Sequence, residues 1–199
     1  AAALGSYPTL SLGEWSWAGA PADLRRDAKH TWEIEAIFPK SLLACGGTPQ
    51  CPLTLPTRGL FPLLVRRHYS DGNGYKFSAA DVIPVEIGPI DQNYAAPLRE
   101  RSVSAAFSFS GSQGELKLKN QGVAPVRAQL SYFGTKELVL PTAPSIIEVP
   151  AGVPMSEKVN AQNFSGLAGS SYATFAVLQW EQNGMRITEF ATARFEIQS

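Results

Sequence analysis

The chain has 199 residues, of which 44% are hydrophobic, and its 17 basic residues balance 17 acidic ones. A hydrophobic fraction of this size can form a core, so the composition argues against wholesale disorder. The zero net charge argues against a nucleic-acid partner, because phosphate binding needs a concentrated positive field. No apolar run approaches the roughly 20 residues that a membrane-spanning helix requires, so we expect no transmembrane segment.

Alternating apolar and polar residues predict strands near the start of the chain. The segment PTLSLGEWSWAG offers a first strand, in which Trp15 and Trp17 share one face. The segment HTWEIEAIFP then alternates from Trp32 to Phe38, and Pro39 ends that strand because proline cannot donate to a sheet.

Residues 41–59 form a predicted long loop that is rich in proline, glycine and threonine. It contains both cysteines of the chain, Cys45 and Cys51, separated by the flexible segment GGTPQ. This pattern predicts a structural disulfide, with free thiols, a metal site or a redox pair as alternatives; a metal site would need further ligands. Because disulfides persist in oxidising compartments, we expect a secreted, periplasmic or cell-surface protein.

The next segments, LFPLLVRRHYS and GYKFSA, flank the sequence DGNG at residues 71–74 and predict a β-hairpin. Pro62 and the pair Arg66-Arg67 flank the apolar centre of the first arm, which is typical of a protected edge strand. We therefore expect contacts with a partner protein to involve this hairpin and the neighbouring Cys45–Cys51 loop more than the C-terminal sandwich. The candidate partner-binding residues are Leu64, Arg66, Arg67 and Tyr69.

The composition changes over residues 89–101, where prolines and charges replace β-branched residues. This change predicts two domains, with residues 1–98 forming an N-terminal β-sandwich and residues 99–199 a C-terminal one. Strands recur through the second half every ten to fifteen residues, and only residues 155–164 could hold a short helix.

In the second half, GELKLKNQGVAPVRAQLSY is followed by PSIIEVPAG. This pattern resembles bacterial immunoglobulin-like domains, in which a strand that ends in asparagine precedes a turn of small residues. The resemblance covers about residues 103–198 and implies a β-sandwich. We predict an all-β fold of two tandem antiparallel β-sandwich domains of the immunoglobulin-like type.

The residues that most often carry catalysis are sparse. His30 and His68 are the two histidines, and His68 lies within a predicted strand beside Ser70 and Asp71 rather than in a triad drawn from separate elements. The DGNG segment resembles part of a calcium loop, but a hairpin turn explains it without a metal. We expect no enzyme activity, no metal and no cofactor.

The leading functional hypothesis is a non-enzymatic interaction or structural module that acts through protein–protein contacts in assembly, adhesion or as an accessory subunit. The alternative is a carbohydrate-binding accessory domain that uses exposed aromatic residues, with Trp15, Trp17 and Tyr75 as candidates for stacking on sugars. The sequence Asn163-Phe164-Ser165 also matches the N-glycosylation signal.

Overall fold

The computed structural model describes residues 15–18, 32–38, 52–71, 73–88 and 101–198, and for the first two ranges it describes the strands alone. The regular structure in this part of the chain is β-strand, which confirms the predicted all-β fold. The strands are β1 (Trp15–Ala18), β2 (Trp32–Phe38), β3 (Gly59–Ser70), β4 (Lys76–Ile87), β5 (Val103–Ser110), β6 (Gln113–Asn120), β7 (Val126–Phe133), β8 (Leu138–Val139), β9 (Ser145–Val149), β10 (Met155–Asn160), β11 (Gln162–Asn163), β12 (Ser171–Gln182) and β13 (Met185–Glu196).

Two facing sheets enclose the main core. One sheet has the order β10-β6-β5, and the other face is built from β13-β12-β7-β9, the end of a larger sheet that continues through β3, β2 and β1. In β6, Leu116 and Leu118 are buried while Lys117 and Lys119 are exposed. Because successive side chains of a strand point to opposite faces, this alternation places one face in the core. Other core residues include Val103, Phe107, Ala128, Leu130, Val149, Leu178, Trp180 and Ile187.

Asn120, the last residue of β6, holds two neighbouring turns in place. Its side-chain amide donates to the carbonyls of Ala124 and Val149 at 2.8 and 3.1 Å, and its Oδ1 accepts from the N–H of Gly122 at 2.9 Å. The side chain is fully buried, so these bonds satisfy polar atoms that would otherwise be costly to bury. This explains why the strand ends in asparagine before a turn of small residues.

Strand β12 is the centre of the molecule, because both of its faces are buried. Leu178 and Trp180 face the sandwich core, whereas Phe175 and Val177 pack against Leu64 of β3 in a second apolar cluster. A strand that is buried on both faces reads as a nearly continuous apolar run, as SYATFAVLQW does. The β3–β4 hairpin therefore covers the face of β12 that lies opposite the three-stranded sheet.

The hairpin predicted from the DGNG sequence is present. Strands β3 and β4 pair antiparallel from Gly59 opposite Ile87 to Ser70 opposite Lys76. In the turn, Asp71 Oδ1 accepts from the backbone N–H groups of Asn73 and Tyr75 at 3.0 and 2.9 Å. Asp71 therefore stabilises the turn by accepting its backbone hydrogen bonds, as expected for a hairpin.

The predicted edge position of the first hairpin arm is wrong. Strand β3 pairs with β4 on one side and with β2 on the other, from Trp32 opposite Tyr69 to Ile37 opposite Leu64. The pairing with β2 stops before Pro62, so the proline interrupts no ladder on that side. Two neighbouring strands satisfy the backbone of this segment, and Leu64 at its apolar centre is buried against Phe175 and Val177 of β12.

The predicted short helix at residues 155–164 is also wrong, because the range forms β10 and β11 instead. Residues Met155–Asn160 form β10, which pairs antiparallel with β6 from Met155 opposite Leu118 to Asn160 opposite Gln113. Val159 is buried in the core while Ser156 and Lys158 are exposed. Burial of this alternating face against the facing sheet outweighs the local helical pattern.

The hairpin is joined to the C-terminal half by short backbone bridges. Gly59 lies opposite Arg186 of β13, and Phe77 lies opposite Ser171 of β12, both in parallel orientation. The Arg186 N–H donates to the carbonyl of Arg58 at 2.8 Å. The predicted count of two tandem domains stays a prediction, since residues 89–100, which include the boundary, lie outside the described ranges.

Candidate functional site

The segment 163–170, which we call the end loop, joins β11 to β12 and exposes two large apolar side chains. Phe164 is 75% exposed and Leu167 is 55% exposed. Single exposed apolar residues are common on protein surfaces, but two within one short, well-held loop form a candidate contact surface.

Side-chain and backbone hydrogen bonds hold the end loop at its first half. The Asn163 amide donates to the carbonyl of Gly166 at 3.0 Å, and its Oδ1 accepts from the N–H of Gly166 at 2.7 Å. The N–H groups of Phe164 and Ser165 both donate to the carbonyl of Glu137, at 2.8 and 3.3 Å. The backbone that carries Phe164 is therefore fixed on both sides.

The second half of the end loop is held by one internal hydrogen bond and by bonds to two other elements. The Ser170 N–H donates to the carbonyl of Leu167 at 3.0 Å, and the Ser170 hydroxyl accepts from the N–H of Lys76 in β4 at 3.0 Å. Gly169 and Ser170 also exchange backbone hydrogen bonds with Ile197, both at 2.9 Å. These bonds connect the loop to the hairpin turn and to the end of β13.

Aromatic rings support the end loop from both sides. A Cβ built on Gly169 would lie 2.8 Å from Cε1 of Tyr75, and one built on Gly166 would lie 2.8 Å from Cε2 of Tyr172, so both rings pack directly on the loop backbone. Tyr75 is itself 39% exposed beside the loop, whereas Tyr172 is buried below it. Burial raises the pKa of Tyr172 above its ordinary value of 10.0, so the phenol stays protonated at neutral pH.

The four predicted partner-binding residues of β3 have different environments. Leu64 is fully buried, and Arg66 is buried with its guanidinium donating to the carbonyl of Gly134. Arg67 forms an exposed ion pair with Asp81 at 2.9 Å. The structure therefore contradicts the accessibility expected of Leu64 and Arg66, because the face of β3 that carries them packs against β12 and the backbone at Gly134. A partner-binding role of Arg67 and Tyr69 stays a prediction.

Tyr69 and Phe77, on neighbouring strands of the hairpin, stack with ring centroids 5.3 Å apart and an angle of 17° between their planes. His68, next to Tyr69, lies opposite Ser78 of β4 in the sheet register. Phe77 also lies opposite Ser171, the residue that follows the end loop. The aromatic pair thus stands at the same end of the molecule as the end loop.

Apart from Tyr75, the remaining predicted site residues fall where the structure gives no side chain. Cys45 and Cys51 lie outside the described residues, and so does His30. Trp15 and Trp17 belong to β1, for which the strand alone is described. Of the sugar-stacking candidates, Tyr75 has a described side chain, and it is exposed beside the end loop.

Two charged side chains that are buried or half-buried, Arg186 and Glu189, stabilise the fold through contacts with other segments. Arg186 is fully buried, its Nε donates to the carbonyl of Pro56 at 2.9 Å, and its guanidinium lies 4.5 Å from the centre of the Phe61 ring. Burial lowers the pKa of Arg186 to about 10, so it stays charged at neutral pH. Glu189 pairs with Arg101 at 3.1 Å. The contacts of Arg186 join the segment before residues 89–100 to β13. The ion pair of Glu189 with Arg101 joins the segment after them to the same strand.

Within the described ranges, no group of three histidine, cysteine, aspartate or glutamate residues is placed to hold a metal ion. The same ranges include no helix that could span a membrane.

Phe164 and Leu167 were missed at the sequence level. The available signal was two isolated apolar residues in NFSGLAGS, a segment of small and polar residues between strands. Such a pattern does not tell whether a loop side chain turns into the core or out to solvent, because that depends on the elements to which the loop is bonded. Here the hydrogen bonds of Asn163 with Gly166 turn Phe164 outward, and they engage the amide of the glycosylation signal.

The fold defines a class, an all-β sandwich protein, and comparison with known proteins adds little to it. No family model and no curated protein sequence matches the chain. Among solved structures, the chain is similar to the native conformation of E. coli alpha-2-macroglobulin, with 12% identity and a TM-score of 0.38. The match covers 70% of this chain and 8% of the macroglobulin. A likeness at this level supports no conclusion about activity or partners.

Proposed function

We propose that the chain is a non-enzymatic binding module that contacts a partner protein through the end loop. The observation that carries the proposal is the exposure of Phe164 and Leu167, 75% and 55%, on a backbone fixed by hydrogen bonds. A loop that is already ordered loses little conformational entropy on binding. Large apolar side chains at the centre of an interface contribute most of its binding energy.

The magnitude is sufficient for specific recognition. Burying a Phe or Leu side chain contributes about 1.5–3 kcal/mol when the side chain starts fully exposed. Scaled by the exposure of Phe164 and Leu167, the pair would contribute roughly 2–4 kcal/mol of binding free energy. Each 1.4 kcal/mol is a factor of ten in affinity, so loss of both side chains would weaken binding by roughly 30- to 1,000-fold.

We also propose that residues 101–198 form a sandwich of the immunoglobulin-like class. It is supported by the three-stranded sheet β10-β6-β5 packed on β13-β12-β7-β9, the arrangement of two antiparallel sheets around one core. In such sandwiches the loops cluster at the two ends, and binding loops are positioned there by the rigid sheets. The end loop occupies one of these ends.

An extracytoplasmic location is part of the same proposal. Its support is the sequence around Cys45 and Cys51, both of which lie outside the described residues.

The experiment compares proteins retained from an extract of the source organism by three immobilised forms of the full chain. The test form carries Phe164→Ala and Leu167→Ala. The control form carries Val123→Ala and Val153→Ala, which remove apolar side chains that are also exposed but lie in the turns next to Asn120. The same proteins should be retained by the wild type and the control and lost from the test form. Equal retention by all three forms would contradict the proposal.

The carbohydrate alternative has one observation in its favour, the exposed Tyr75 ring beside the end loop. Aromatic rings that stack on sugars contribute through their open face. Titration with a panel of oligosaccharides, followed by tyrosine fluorescence or calorimetry, separates the two functions. Saturable sugar binding that is lost in Tyr75→Ala, with no protein retained through the end loop, would favour the alternative.

A further inference from the structure

Three polar side chains form one buried row across neighbouring strands of the large sheet. Gln179 of β12 lies opposite Gln129 of β7 on one side and opposite Thr188 of β13 on the other. All three residues are buried. Gln179 is on the face of β12 that carries Phe175 and Val177, away from the sandwich core. Polar groups are costly to bury without hydrogen bonds, so a buried row of this kind needs partners.

Both ends of the row bond to the backbone of residues 53–60, which we call the strap. The Leu53 N–H donates to Gln129 Oε1 at 3.4 Å, and the Thr188 hydroxyl donates to the carbonyl of Leu60 at 2.7 Å. Adjacent strands of a sheet lie about 4.8 Å apart, so the two ends of the row are separated by about 10 Å. The strap therefore spans the outer face of the sheet from β7 to β13.

These end contacts determine the orientation of both glutamine amides. Gln129 presents its oxygen to the Leu53 N–H, which leaves its Nε2 as a donor. The single hydroxyl proton of Thr188 is used on the Leu60 carbonyl, so Thr188 Oγ1 accepts from Gln179 Nε2, at 3.3 Å. The two remaining atoms, Gln129 Nε2 and Gln179 Oε1, are buried and have no hydrogen-bond partner among the described residues. One is a donor and the other an acceptor, on directly opposite residues.

We propose that this row is a latch that holds the strap as one cooperative unit, with Gln129 Nε2 linked to Gln179 Oε1 directly or through one bridging water molecule. Buried polar atoms of proteins commonly share such a water. The link completes a chain in which each donor meets an acceptor, from the Leu53 N–H to the Leu60 carbonyl. Hydrogen bonds in a chain strengthen one another, so loss of one end loosens the other. Local opening of residues 53–60 is therefore a single event.

The latch is tested by hydrogen exchange of the full chain, followed at single residues by NMR. Thr188→Val removes the hydroxyl that bonds to Leu60 at one end of the row. It should accelerate exchange of the Leu53 N–H at the other end by about tenfold, the effect of one lost partner of a buried polar group. Thr188→Ser keeps the hydroxyl and should retain the wild-type exchange rate. Unchanged exchange of the Leu53 N–H in Thr188→Val would overturn the proposal.

The matched control is Thr174→Val on β12. Thr174 is also buried, and its hydroxyl donates to the carbonyl of Ala193 at 2.9 Å. It lies on the opposite face of the strand from Gln179 and outside the row. The control should leave exchange of the Leu53 N–H unchanged. Equal acceleration by Thr174→Val and Thr188→Val would mean that the strap opens only when the whole chain unfolds, and this result would also overturn the proposal.

A second measurement tests the link between the two glutamines. Gln129→Leu and Gln179→Leu each break the same link, so the second substitution has less left to remove. In urea denaturation, the double variant should raise the unfolding constant by less than the product of the two single effects. Single effects that simply multiply would show that the two amides act independently and that the row is not a latch.

Discussion

Replacement of Gly59 by alanine should destabilise the protein far more than a typical exchange of glycine for alanine. Gly59 has φ of +132°, and a Cβ at this position would lie 2.1 Å from the carbonyl oxygen and 2.6 Å from the nitrogen of Arg186. Both contacts are with backbone, so no side-chain rotation can relieve them. The alanine can be accommodated only if β3 moves away from β13.

The magnitude follows from what this movement breaks. The positive φ alone costs an alanine about 1–2 kcal/mol. Separation of the strands also breaks the hydrogen bond from the Arg186 N–H to the Arg58 carbonyl, which is worth about 1 kcal/mol. It loosens the bond from the buried Arg186 guanidinium to Pro56, and hydrogen bonds of charged groups are worth about 1.5–3 kcal/mol. We expect a loss of about 3–5 kcal/mol in the free energy of unfolding.

The matched control is Gly74→Ala in the hairpin turn. Gly74 also has a positive φ, +85°, but a Cβ there would meet nothing within 4 Å. Its cost should therefore be the conformational strain alone, about 1–2 kcal/mol. Urea denaturation followed by tryptophan fluorescence measures both variants. If Gly59→Ala and Gly74→Ala lose the same stability within about 0.5 kcal/mol, the bridge between β3 and β13 does not hold the two segments together.

Two further predictions concern titration and the cysteines. Burial raises the pKa of Glu189 above its ordinary value of 4.5, against the opposing effect of Arg101, so the folded chain binds this proton more tightly than the unfolded chain. The free energy of unfolding should therefore fall as pH rises from about 4.5 through the raised pKa. The variant Glu189→Gln should reduce that slope in urea titrations at several pH values, and an unchanged slope would contradict the assignment. For Cys45 and Cys51, mass spectrometry of the unreduced protein should show a disulfide. This bond would close a loop of about seven residues and contribute ~2 kcal/mol to the free energy of unfolding. Detection of two free thiols would refute the disulfide and remove the main support for an extracytoplasmic location.

The sequence was informative wherever one short segment determines its own structure. The alternation of Leu116 and Leu118 with lysines predicts a strand with one buried face, because the period of two belongs to the strand itself. The DGNG turn predicts the β3–β4 hairpin, because the required backbone conformations are local. The all-β fold follows from repeated patterns of this kind.

The tertiary structure decided which strands are neighbours and which side chains remain in solvent. The composition of β3 suggested an edge, yet pairing with both β2 and β4 makes it a central strand, and packing against Phe175 and Val177 of β12 buries Leu64. Residues Met155–Asn160 form a strand because β6 offers them a partner. Phe164 and Leu167 are exposed because hydrogen bonds from distant elements, including Glu137 and Lys76, fix the end loop. Such contacts join residues that are far apart in the chain, so they cannot be predicted from the local pattern of side chains.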